Sequence, residues 1–165
     1  MSDVYVECLV KAKQSAGGKF GKVVLIVLTL IFGLMAMMGM MIALIVAVAT
    51  GVGAYFVNLY TDVEYEYLYL DKELTVDKVL AKSKRKRVGT YSVDRMEVLA
   101  PIKSYHLDSF KNRTVKEKDY SIGEELKPDQ RYALYYEGGE KLILSPSEEL
   151  VKAIRNVAPR KVFMD

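Results

Sequence analysis

Between Val23 and Val57 the chain has no Asp, Glu, Lys, Arg or His, a gap of 35 residues. A soluble domain of this size does not bury an apolar run that long, so the gap points to a membrane. A second cysteine is also missing. With Cys8 alone, no intramolecular disulfide can form, which fits a reducing compartment. Cys8 reads as an unmodified thiol, with juxtamembrane acylation as the alternative. One histidine and no CxxC pattern leave too few ligands for a zinc site. There is no Walker motif and no GxGxxG, and Gly51-Val52-Gly53 lies inside the apolar run. Charge of one sign is lacking too. From Asn58 onward there are 20 Lys and Arg against 19 Asp and Glu, so nothing points to nucleic acid.

The length of the run fits neither one crossing nor two with ease. As a single helix it would extend roughly 52 Å, against a hydrocarbon core of about 30 Å. Two crossings would have about 17 residues each, the lower limit of a span. Gly33 and Gly39 flank Leu34-Met35-Ala36-Met37-Met38, where the chain can turn. Lys19 and Lys22 can snorkel at one end, and Tyr55 and Tyr60 can anchor the other. Basic residues lie on both sides: Lys11, Lys13, Lys19 and Lys22 before the run, Lys78, Lys82, Lys84, Arg85, Lys86 and Arg87 after it. Lys and Arg are retained on the cytoplasmic face, so both ends read as cytoplasmic. A helical hairpin over 20–37 and 40–59 is therefore favoured over a single crossing. Ala43, Ala47 and Gly51 recur at every fourth residue and form a close-packing face. That face would meet the first helix of the same chain or, alternatively, a membrane-protein partner. The five methionines from Met35 to Met41 read as apolar filling rather than as a thioether site for Cu(I).

The rest of the chain is strand-rich. Val63–Leu70 alternates, with Val63, Tyr65, Tyr67 and Tyr69 on one face. Asp71-Lys72 is a two-residue turn into a returning strand over Glu73–Leu80. Further strands are expected over Val88–Val93, Arg95–Leu99 and Ile102–Leu107. Gly138-Gly139 joins Arg131–Glu137 to Glu140–Ser145 as a hairpin. Ser145-Pro146-Ser147-Glu148 reads as a helix start with Ser145 as N-cap and Pro146 at the first helical position. Leu150, Val151, Ile154 and Val157 form its apolar stripe, and Pro159 ends it. The fold class is thus α+β: a transmembrane hairpin, then a small bent sheet or barrel closed by a C-terminal helix. Three parts follow: an N-terminal cytoplasmic segment 1–19, the hairpin 20–59, and a cytoplasmic domain 60–165.

The hairpin running into Glu64-Tyr65-Glu66-Tyr67 and Leu74-Thr75-Val76-Asp77-Lys78-Val79 resembles bacterial membrane proteins with a pleckstrin-homology-like domain. The hairpin before Ser145-Pro146-Ser147-Glu148-Glu149-Leu150 is similar to the end of that fold. More closely, the chain resembles a small bacterial family with a domain of unknown function. The marks are Lys84-Arg85-Lys86, Ala100-Pro101-Ile102, Asp119-Tyr120-Ser121-Ile122-Gly123 and Ala158-Pro159-Arg160-Lys161-Val162. The resemblance implies the fold but no activity, cofactor or ligand residue.

Lys82, Lys84, Arg85, Lys86 and Arg87 form the candidate site. Two strands of similar length, one outward and one back, would return this segment toward the bilayer. Each basic side chain near anionic headgroups contributes about 1 kcal/mol. A solvated loop acting only as a topology signal, or a basic patch for a protein or RNA partner, is the competing reading. Ser104, His106 and Asp108 alternate, but on a strand they would stand roughly 7 Å apart, too far for a nucleophilic triad. The sequence thus reads as a non-enzymatic, multi-pass cell-membrane protein without cofactor. Its cytoplasmic domain would meet a protein or the lipid surface. The alternative is an accessory subunit of a transporter or enzyme.

Overall fold

The computed structural model describes residues 5–12, 16–122 and 130–164. They form two compact units. One holds residues 16–63 and 80–84; the other holds 5–12, 64–79, 85–122 and 130–164.

The first unit is a helical hairpin, α1 (Ala16–Met37) and α2 (Met41–Thr61). At helical rise they are about 33 and 32 Å long. Both are long and apolar enough to cross a membrane, with mean hydropathies of 2.4 and 2.1. The length strain is relieved at the outer ends, because α1 starts before Val23 and α2 continues past Val57. The uncharged turn is satisfied by its own backbone. Gly39, at φ +92°, stands where the left-handed conformation is needed. Its N–H donates to Ala36 O (3.0 Å), and Met40 N–H donates to Met35 O (3.3 Å), closing α1 with a Schellman motif. Backbone groups that would otherwise call for a polar loop are thereby paired. Gly33 lies within α1, not at the turn. Small and hydroxylated residues line the antiparallel seam. A Cβ on Gly18 would lie 2.9 Å from Thr61 Oγ1, and one on Gly51 would lie 3.5 Å from Thr29 Cγ2. Thr29 Oγ1 donates to Thr50 Oγ1 (3.0 Å), and Lys22 Nζ donates to Asn58 Oδ1 (2.7 Å). The outer faces keep large apolar side chains exposed, among them Leu30, Leu34, Ile42 and Ile45.

The second unit has two four-stranded sheets and a helix. The first sheet runs β1-β2-β3-β4, with β1 Val6–Lys11, β2 Val63–Leu70, β3 Glu73–Leu80 and β4 Lys84–Ser92. Asp71 and Lys72 form the first turn with both φ values positive, the backbone that matches strand twist. The second sheet runs β5-β7-β8-β6, with β5 Met96–Pro101, β6 Lys116–Asp119, β7 Tyr132–Tyr136 and β8 Glu140–Leu144. Gly138 and Gly139 make the β7–β8 turn, and β6 lies parallel to β8. The inward alternation buries Tyr67, Tyr69, Leu74, Val76, Leu99, Leu134, Leu142 and Leu144 in one core. Helix α3 (Glu148–Val157) closes it with Leu150, Val151 and Ile154. Tyr67 ties the layers together: its hydroxyl donates to Tyr120 O and accepts from Ser145 N. The C-terminal segment covers the β5 edge, where Leu99 N donates to Lys161 O and Phe163 N to Leu99 O.

Five sequence expectations change. Residues Val6–Lys11, which carried no expected element, form β1, antiparallel to β2 with Cys8 opposite Tyr67 and Val10 opposite Tyr65. Lys116–Asp119 forms β6 despite four charged residues. Ile102–Leu107 is not a strand. Ser104 Oγ accepts from His106 N, and a 3₁₀ segment over Tyr105–Phe110 tucks Leu107 into a second cluster with Val98, Ala100, Ala133 and Tyr135. The cap of α3 is Ser147, whose Oγ accepts from Leu150 N (3.2 Å), not Ser145. Ser145 is instead buried, its Oγ accepting from Ile122 N. Val157 lies off the buried stripe.

Candidate membrane-surface site

The open end of the hairpin gathers basic side chains within the first unit. Lys22 is held there by Asn58, and Lys19 lies one turn earlier on α1. Just beyond α2, Asp62 O accepts from Ala81 N (2.7 Å). That bond fixes the β3–β4 turn, and with it Lys82 and Lys84, beside the helix end. The turn has the primed geometry, with Ala81 at φ +46° and Lys82 at φ +56°, and Ser83 N donates back to Leu80 O (3.1 Å). Lys19, Lys22, Lys82 and Lys84 therefore all belong to the end of the hairpin where α1 starts and α2 stops.

The basic run does not act as one loop. From Lys84 it is strand β4, so its side chains alternate. Arg85 and Arg87 project to the face that carries buried carboxylates. Arg85 Nη2 pairs with Glu66 Oε1 at 2.9 Å, where the glutamate side chain is 3% exposed and the arginine 58%. Arg87 Nε stands 3.5 Å from Asp77 Oδ1, whose side chain is 6% exposed. Burial raises the Glu66 carboxyl above its ordinary range, and Arg85 opposes that rise. Lys84 and Lys86 alternate to the other side. Lys82, Lys84 and Lys86 are exposed and have no carboxylate partner among the described residues. Two of the five expected contact residues are thus engaged in balancing internal charge. Lys19 and Lys22, read in the sequence as snorkelling anchors and as part of the basic flank, lie at the same end of the hairpin as Lys82 and Lys84.

Ala43 and Ala47 are buried within the hairpin and Gly51 faces Thr29, so this stripe is occupied by α1. Ser104, His106 and Asp108 do not converge. Ser104 caps the 3₁₀ segment, the His106 ring stacks on Phe163 at 3.5 Å between centroids, and Asp108 pairs with Lys111. Asp119 Oδ1 accepts from Ser121 N and Oγ, which makes a local turn; Gly123 lies outside the described residues. The charged flank at Lys13 also lies outside them.

No curated protein and no solved structure matches the chain. Two long apolar helices, two sheets with a closing C-terminal helix, and a family-model match over residues 2–164 agree: the chain belongs to the bacterial PH-like domain family DUF6106.

Proposed function

We propose that α1 and α2 span the cell membrane as a hairpin, tethering a non-enzymatic PH-like domain on the cytoplasmic side for protein or lipid-surface interaction. One observation carries the reading. Strand β1 precedes α1, β2 follows α2, and the two are hydrogen-bonded neighbours in one sheet. A chain that leaves a sheet and returns to it must cross any intervening bilayer an even number of times. The basic flanks then assign that side to the cytoplasm.

On this reading Lys19, Lys22, Lys82 and Lys84 lie at headgroup level and meet anionic lipid. Together they contribute up to about 4 kcal/mol before screening. The reading of an accessory subunit docked through Ala43, Ala47 and Gly51 finds less support, because α1 already covers that stripe.

The lipid test needs the whole protein, since a fragment starting after α2 would lack β1 and expose the β2 edge. Intact protein in nanodiscs is treated with a water-soluble amine reagent. Adding phosphatidylglycerol to a phosphatidylcholine bilayer is expected to slow modification of Lys82 and Lys84 while leaving Lys152 unchanged. Equal rates in both bilayers would refute lipid contact.

A further inference from the structure

The face of the first sheet opposite the core carries more acid than base. Glu7 on β1 pairs in register with Leu68, and Leu9 with Glu66, so Glu7 and Glu66 are diagonal neighbours on one face. Asp77 on β3 and Arg85 and Arg87 on β4 complete the group, with Glu64 and Lys11 at its β2 and β1 margin and Tyr5 beside Glu7. Glu66 Oε1 accepts from Arg85. Its other oxygen, Oε2, is fully buried and has no donor in hydrogen-bonding range, and Asp77 Oδ1 is likewise without a hydrogen bond. A buried carboxylate oxygen left without a donor is costly, and ionised neighbours such as Glu7 can only accept. A proton held between the two glutamates would supply the missing donor.

We propose that Glu7 and Glu66 share one proton, and that this proton holds β1 on the sheet. The Glu66 carboxyl is raised by burial and by its hydrogen bond with Glu7, with Arg85 opposing. The Glu7 carboxyl is lowered, chiefly by the hydrogen bond from Tyr5 and then by Glu66. The pair therefore takes its first proton above the ordinary value of 4.5 and its second below it. Because the folded value of Glu66 is raised, its contribution is complete below 4.5 and is lost as pH rises through the folded value. The lowered value of Glu7 works in the opposite sense. Its contribution is present above 4.5 and is lost as pH falls through the folded value. The attachment is firmest between the two. Arg85 balances the single remaining negative charge, and Arg87 faces Asp77. Since β1 runs into α1 within a few residues, proton occupancy sets how firmly the chain before the hairpin is held to the sheet.

The test is hydrogen–deuterium exchange of residues 6–11 in the intact protein in nanodiscs, corrected for intrinsic exchange, over a pH series. The opening equilibrium of β1 is expected to rise by up to about tenfold per pH unit above 4.5 and level off past the folded value of Glu66. Glu66→Gln keeps the shape, donates to Glu7 and is expected to abolish that rise. The same rise in both proteins overturns the proposal. A second measurement does not depend on the variant folding. The assigned carboxyl ¹³C resonance of Glu66 in the native protein must titrate above 4.5. Titration at or below that value, as a bound cation would produce, overturns it as well.

Discussion

Arg85→Ala separates the two roles that the basic run mixes. The guanidinium is more than half exposed, but its partner Glu66 is almost fully buried. Exposed ion pairs contribute at most about 1 kcal/mol. Removing one member of a buried pair costs about 3–5 kcal/mol, because the other charge is left without compensation. With one member at each extreme, Arg85→Ala is expected to cost about 2 kcal/mol. For a domain of this size that is a fall in Tm of roughly 6–10 °C. Lys86→Ala, next in sequence and on the opposite side of the strand, is expected to change stability by less than about 0.5 kcal/mol. Adding Glu66→Gln to Arg85→Ala removes the stranded charge and recovers most of the loss. The assay is thermal unfolding of intact detergent-solubilised protein, followed by near-ultraviolet dichroism of the domain tyrosines. If Arg85→Ala and Lys86→Ala are indistinguishable, or the double variant is no better than the single, Glu66 does not depend on Arg85 and the division of the run is wrong.

Two further substitutions probe the backbone. A Cβ on Gly89 would stand 2.6 Å from Tyr91 Oη and 2.8 Å from two of its ring carbons, and Tyr91 is buried against Tyr136. Gly89→Ala is expected to destabilise by about 1–3 kcal/mol, read as a fall in Tm. Ala81 sits at φ +46° in the β3–β4 turn, where a side chain is strained. Ala81→Gly is expected to stabilise by up to about 1 kcal/mol, measured by the same melt.

Legibility in the sequence followed the range of the interactions. The two tight turns, Asp71-Lys72 and Gly138-Gly139, are set by residues at the turn itself, and the strands flanking them could be read directly. The apolar helices were legible from composition, and the turn between them from Gly39. Strand β1 was not, because its partner β2 lies beyond the whole hairpin and its own six residues alternate only weakly. Strand β6 is Lys-Glu-Lys-Asp and owes its form to β8, where Lys118 reaches Glu140 and Lys141 reaches Glu117. The Ser145 and Ser147 choice turned on tertiary structure, since Tyr67 and Ile122 claim Ser145. In the candidate site, the run at 82–87 was visible. Its split between carboxylate-bound arginines and free lysines depends on buried acids in strands β2 and β3.

The central claim is that both ends of the hairpin lie on the cytoplasmic side. Single cysteines in a Cys8→Ser background test it, using a membrane-impermeant maleimide on intact cells. Met38→Cys lies at the exposed hairpin turn, and Asn112→Cys lies on the exposed surface of the domain. The account predicts labelling of Met38→Cys in intact cells and of Asn112→Cys only after the membrane is opened. Labelling of Asn112→Cys in intact cells would contradict it.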